Sequence, residues 1–486
     1  MSPLNAVNGQ NPRQIAAGIL QQRCPGGRFT EDLLERALAK NRLSPLDRAL
    51  CQELVYGVVR WQATLDWLIA RKTNGREQKA GLQSLLRLGL YQLFWLDRVP
   101  EHAAVHETVQ LTKRGGFGSQ AGFVNAVLRG YLREAGATKK RLAELKVSQP
   151  EIGWSHPDWL VARWQKRWGV EKTAKLLEWN NQPPKTFARI NHLKFRKDEL
   201  HESQILDKKS GTRIACRSED ECLGRLLEKW RDENVEYDFV RRNWLEENLV
   251  FELKSHPPLA TLASFRDGWF YIQDPSTLLA VTELKPQPGE TILDFCAAPG
   301  GKTMFLAHLM NNQGRIVAQD VSEERLDLVR ENCQRLGATC VEFCKSRGNE
   351  VPISNSTLRT PRSEFGQSLL TSAATEKQFD RILVDAPCSN TGVMRRRVDL
   401  RWRIQLREIL RLQQAQLALL EQAVPRLKPG GVLVYSTCSL EPEENSKVVK
   451  EFLQNHKEFK LEFERELLPF RDNVDGAFVA RLTRLP

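Results

Sequence analysis

The sequence predicts a Rossmann-like α/β domain in its second half, preceded by an all-helical domain. Three observations carry this. From "GWFYIQDPST" at Gly268 onward, short apolar runs alternate with helical periodicity, the pattern of a parallel sheet with crossover helices. The first of those runs, "TILDFC", breaks into small residues and two glycines before a helix begins. Between Pro12 and Glu134, by contrast, helical patterning is almost uninterrupted.

In the helical part, "RLGLYQLFWL" (Arg87 to Leu96) is nearly all apolar. "EHAAVHETVQLTKRG" starts after Pro100 and stops at a glycine pair. "AGFVNAVLRGYLRE" sets Phe123, Val127 and Leu128 on one helical face. "SHPDWLVARWQKRWG" is a short aromatic helix opened by Ser155 and Pro157, and "TFARINHLK" is a strand. From about Phe195 to His256 the chain is highly charged and weakly periodic, an expected irregular insert, with "RLLEKWRDENV" a candidate helix. These boundaries give three segments: 1–145 helical, 146–270 connecting and substrate-binding, and 271–486 α/β.

In the α/β part, "TILDFC", "RIVAQD", "TCVEF", "DRILVDA" and "GVLVYST" are successive strands. The helix "SEERLDLVRENCQRLG" lines up Leu326, Val329, Cys333 and Leu336 behind a Ser322 cap. A Ser/Thr-rich stretch between Gly348 and Gln378 reads as a surface loop.

Composition narrows the classes. The 486 residues exceed one ordinary core, and no apolar run approaches a membrane span or a signal peptide, so the expected compartment is the cytoplasm. A net charge of +12 suits a polyanionic partner, as it also suits a plain basic surface. The 10 cysteines form no C-x-x-C pair, and His102 and His106 have no third ligand nearby, so no metal site is expected.

Chemistry concentrates at the strand ends. In "LDFCAAPGGKT" the residues Cys296, Ala297, Ala298, Pro299, Gly300, Gly301 and Lys302 form a turn that admits a ligand to bare backbone at a helix N-terminus. Neither the Walker phosphate loop nor G-x-G-x-x-G is matched. Asp320 closes the second strand, where a carboxylate can bind a ribose diol. Cys388 in "LVDAPCSN" and Cys438 in "VYSTCSLEP" both follow later strands of the same sheet, in Pro/Ser/Thr surroundings that favour reactivity over burial.

Four motifs, "QDPST", "DFCAAPGGKT", "DAPCSNTG" and "YSTCSLEPEEN", resemble in order and spacing those of the RNA cytosine-C5 methyltransferases. "SPLDRALCQELVYGVVRW", "LRLGLYQLFWLDRVPEHAAVHETV" and "GFVNAVLRG" resemble a NusB-like RNA-binding domain. With "SHPDWLV", the combination resembles the bacterial 16S rRNA enzymes of the RsmB (Sun/Fmu) type across nearly the whole chain. The resemblance implies a Rossmann-like domain dependent on S-adenosylmethionine, a NusB-like domain before it, and 5-methylcytosine formation in small-subunit rRNA at the cytosine numbered 967. It implies Cys438 as nucleophile, Cys388 as the thiol that assists release, and Asp385 as the acid at the cytosine's amino edge. It places the cofactor against Cys296 through Lys302, Asp320, Lys345 and Asp385. Lys345 departs from the pattern, since this strand commonly ends in an acid.

The cluster "MRRRVDLRWR" offers Arg395, Arg396, Arg397, Arg401 and Arg403 as phosphate clamps and Trp402 as a stacking surface, against the alternative of a solvated loop. The expected partner is rRNA, without DNA or membrane, and the expected state is a monomer. DNA cytosine methyltransferases use the "PC" cysteine, and the presence of Cys438 argues against them. A tRNA enzyme and a non-catalytic RNA-binding assembly factor stay as alternatives.

Overall fold

A computed structural model describes residues 11–23, 27–195, 219–346 and 378–486, so the Ser/Thr-rich loop and the first part of the charged insert lie outside the described residues. The chain forms two compact units. One holds the described residues up to Pro183 together with Met394–Ile404; the other holds the rest. Among the described residues no helix is long and apolar enough to cross a membrane.

The first unit is helical. Its helices begin where the sequence supplies caps. Asn11 accepts from the Arg13 amide ahead of Pro12, and Ser44 accepts from the Asp47 amide ahead of Pro45. The helices Pro45–Arg60 and Ala80–Trp95 approach closely at Gly57, where a Cβ would fall inside the Tyr91 ring. Leu54, Val55, Leu85, Leu86 and Leu128 are buried in one core, and each such side chain contributes roughly 1.5–3 kcal/mol of apolar burial.

Met394–Ile404 is threaded into this helical unit. Val398 joins its core. Asp399 accepts from Arg23 at 2.7 Å and from the Thr30 amide at 2.5 Å. Arg403 donates to the carbonyls of Gly27 and Arg28 and lies over Phe29.

The second unit contains two sheets. The smaller is antiparallel, in the order β2-β3-β1-β4: β1 (Thr186–Ile190), β2 (Glu236–Phe239), β3 (Val250–Ser255) and β4 (Phe270–Ile272). The helix Glu219–Asp232 accompanies it, and Trp230 is buried edge-on between Phe251 and Phe270. The later part of the charged stretch is therefore ordered. Aromatic residues spaced widely among charges build this core, and a composition reading dilutes them. The connecting segment 146–270 is divided between the two units, because β1 pairs with β4 and so binds the chain from Pro184 onward into the second unit.

The larger sheet runs β10-β11-β9-β8-β5-β6-β7. Strands β5 (Thr291–Phe295), β6 (Arg315–Asp320), β7 (Val341–Lys345), β8 (Phe379–Asp385) and β9 (Leu427–Thr437) are parallel, as their near-continuous apolar runs suggest. An antiparallel pair, β10 (Phe459–Leu467) and β11 (Ala477–Arg484), completes the edge. Strand order reverses between β5 and β8, and ligands of such sheets bind at the carboxyl ends beside that reversal.

Candidate active site

The turn after β5 is built for close approach. The amides of Cys296 and Ala297 both donate to the Gln319 carbonyl, at 3.0 and 2.9 Å, and Cys296 adopts φ of 73°. Gly300, at φ 103°, would bring a Cβ to 3.1 Å from Val329. The helix Gly301–Leu309 then starts with its amides directed at the turn. Beneath it Asp294 is fully buried, and its Oδ2 accepts from Thr303 at 2.6 Å. Burial pushes this carboxyl up to about 7.

Asp320, at the end of β6, is also buried. Its Oδ2 accepts from the Ala298 amide at 3.2 Å, and its Oδ1 pairs with Arg325 at 3.2 Å. Arg325 in turn donates to the Ala298 carbonyl. The acid expected at a ribose is thus also a brace for the turn. Lys345 pairs in register with Asp320 and is exposed.

Lys302 reaches from the turn to the end of β8, where its Nζ lies 2.6 Å from Asp385 Oδ2. The other Asp385 oxygen accepts from Ser436 at 2.9 Å. Burial opposes the Lys302 charge, but the Asp385 carboxylate outweighs it and raises the ammonium pKa. The small-residue turn, the helix N-terminus and the two strand-end carboxylates together fit a cofactor that combines a ribose with a cationic centre.

Beside Asp385 the two cysteine loops meet. Strands β8 and β9 are neighbours in register, Asp385 against Ser436, so both loops leave the same edge. The sulfurs of Cys388 and Cys438 are 3.3 Å apart. Gly392 donates to the Cys438 carbonyl at 3.0 Å, and a Cβ there would meet the Gly476 carbonyl at 2.5 Å, so only glycine permits this crossing. Cys388 is buried, whereas Cys438 is partly exposed. The contact with Cys438, burial and the nearby Glu444 carboxylate together raise the Cys388 thiol well above its ordinary value.

Two side chains without an assigned role in the motifs complete the site. Asn390 accepts from Cys438 Sγ at 3.0 Å and donates to the Cys388 carbonyl at 2.7 Å. Glu444, from "SLEPEEN", accepts from Ser389 and Ser439, the residues after the two cysteines. Burial moves Glu444 up to about 7 against the pull of these donors. The available signal is an acid six residues beyond a strand-end cysteine.

The arginine cluster requires a correction. Arg401 is fully buried and donates to the carbonyls of Arg60, Ser155 and Asn180 and to Asn181 Oδ1. Burial lowers its pKa to about 9. Arg395 is buried over the Trp179 ring at 3.9 Å. Trp402 donates its indole N–H to the Val59 carbonyl at 2.8 Å. These three hold Met394–Ile404 in the helical unit and do not offer a clamp or a stacking surface. Arg396 is half-buried and Arg397 is exposed. Among the described residues no group of His, Cys, Asp and Glu could hold a metal ion.

Known proteins resemble this chain along nearly its whole length. Residues 281–483 match the model of "16S rRNA methyltransferase RsmB/F", residues 10–133 that of the "NusB family", and residues 156–208 that of a "Methyltr_RsmF/B-like, ferredoxin-like domain". A probable ribosomal RNA small subunit methyltransferase B of Synechocystis sp. is 35% identical over 97% of this chain and 99% of its own. A like-named protein of Bacillus subtilis is 33% identical over 97% and 98%. The crystal structure of a methyltransferase homolog protein from Pyrococcus horikoshii is 28% identical, with a TM-score of 0.52, over 69% of this chain and 97% of its own.

Proposed function

The chain belongs to the ribosomal RNA small subunit methyltransferase B family, with S-adenosylmethionine as methyl donor, and from that premise we propose that it forms 5-methylcytosine in small-subunit rRNA, at the cytosine numbered 967. Residues Cys296 through Lys302, Asp320 and Asp385 would hold the cofactor, which would supply an electrophilic methyl group. C5 of cytosine is a weak nucleophile. Attack of the Cys438 thiolate on C6 forms a C–S bond and moves electron density to C5. After methylation a solvent water takes the C5 proton, the electron pair of that C–H bond restores the C5=C6 double bond, and the C6–S bond breaks with its electrons leaving on Cys438 as a thiolate.

The observation that carries this reading is the unequal thiol pair, 3.3 Å apart at the sheet edge. Cys388 keeps its proton and can direct it at the Cys438 sulfur, 3.3 Å away. Asp385, held between Lys302 and Ser436, presents an acid for the amino edge of the base.

Bisulfite sequencing of rRNA tests the reading. A strain lacking the gene loses one methylcytosine of the small subunit, the wild-type gene restores it, and Cys438→Ala does not. An unchanged methylation pattern in the deletion strain overturns the proposal and favours a non-catalytic RNA-binding role. Loss of a tRNA mark instead relocates the substrate.

A further inference from the structure

One buried carboxylate ties the two cysteine loops together. Glu444 Oε1 accepts the Ser389 amide at 2.7 Å and the Gln416 side-chain amide at 3.2 Å. Its Oε2 accepts the hydroxyls of both Ser389 and Ser439. Those hydroxyls are themselves 3.1 Å apart. Glu444 is anchored in turn, because the Tyr435 hydroxyl on β9 donates to its carbonyl at 2.6 Å. Burying a carboxylate costs several kcal/mol unless every lone pair is used, and packing alone would be met by an apolar residue.

We propose that Glu444 is the positioning residue for the two thiols: it fixes the residues following Cys388 and Cys438 at one point and so sets the distance between the sulfurs. Only a carboxylate suits the task. Once ionised it is an acceptor at both oxygens, whereas the isosteric amide accepts at one and sets an N–H₂ against the two serine hydroxyls, each of which must then turn its own proton elsewhere. The inference rests on the reading of these cysteines as the working thiols. Covalent attack by one sulfur and assistance by the other require that they share a small space, and a displacement of about 1 Å costs up to about a hundredfold in rate.

Diamide coupling of the full chain tests it. A sulfur–sulfur bond forms as the two thiols give two electrons and two protons to the reagent's N=N bond, which becomes a hydrazine. Peptide mass spectrometry reads the Cys388–Cys438 product. Glu444→Gln is expected to slow coupling about tenfold or more, to leave S-adenosylmethionine affinity unchanged by calorimetry, and to lower kcat without raising the cofactor's KM. Coupling at the parent rate overturns the proposal. Should Glu444→Gln fail to fold, Ser439→Ala removes one latch and keeps three donors on the carboxylate; several-fold slower coupling supports the clasp, and the parent rate overturns it. Coupling needs no methyl transfer, so failure of the cytosine assignment leaves this result intact, and parent-rate coupling in a fully active enzyme removes the clasp alone.

Discussion

Asn390 receives the Cys438 thiol on its side-chain oxygen at 3.0 Å, and its amide is committed to the Cys388 carbonyl. That second bond fixes which end of Asn390 faces the sulfur, because a carbonyl needs a donor. With the Cys438 proton on Asn390, the 3.3 Å sulfur contact is filled by the proton of Cys388. The two thiols are therefore unequal before any substrate arrives.

This inequality gives the first prediction. Cys438→Ala abolishes methyl transfer and forms no covalent RNA adduct. Cys388→Ala still forms the adduct but releases it poorly, so a protein–RNA band accumulates on a denaturing gel. The reverse pattern, with RNA trapped by Cys438→Ala and none by Cys388→Ala, assigns attack to Cys388.

Asp320 carries a second prediction. Its carboxylate braces the Ala298 amide as well as closing β6. Asp320→Ala should weaken S-adenosylmethionine binding by roughly 1–3 kcal/mol, the cost of a lost charged hydrogen-bond partner. Titration calorimetry measures this, and unchanged affinity removes Asp320 from the cofactor site.

How much of the fold and the site is legible in the sequence depends on the physics of each signal. The central strands announce themselves because both faces are buried, and "RIVAQD" is β6 residue for residue. The hairpin of β10 and β11 is absent from the sequence expectation although "FKLEFEREL" alternates apolar and charged residues, as a strand with one solvated face does. Arginines read as surface groups because charge is costly to bury, yet the two terminal nitrogens of Arg401 donate to backbone carbonyls that no local pattern reveals. Glu444 escapes for a similar reason. Its partners Ser389 and Gln416 lie 55 and 28 residues away and meet it only when the sheet forms.

The corrected cluster separates two effects that a triple arginine variant would mix. Arg401→Met should destabilise the helical unit by on the order of 3 kcal/mol, because several buried carbonyls lose their donor. Chemical denaturation reads this. Arg397→Ala should leave stability within about 0.5 kcal/mol and flatten the salt dependence of RNA affinity. An unaltered salt slope makes Arg397 a solvated residue.

At the end of β7, Lys345 stands in register with Asp320. If the cofactor reaches this strand, Lys345→Asp places an acid near its cationic side and tightens binding in calorimetry. Equal or weaker binding puts Lys345 outside the pocket.

Two buried acids make the last prediction, which concerns pH. Asp294 and Glu444 are each raised to about 7 in the folded chain, from ordinary values of 3.8 and 4.5. Between the ordinary and the folded values, the unfolded chain has lost these protons while the folded chain retains them. Unfolding then releases protons, so these groups make stability fall as pH rises from about 4 to about 7, with no further change above. Each shift corresponds to on the order of 3 kcal/mol across that window. Asp294→Asn and Glu444→Gln each remove one titrating group. The difference in unfolding free energy between parent and variant, measured in urea at pH 5 and pH 8, should move against the parent as pH rises. A difference that stays constant with pH means that the acid in question is already ionised at the lower pH, held so by its hydrogen-bond donors despite its burial.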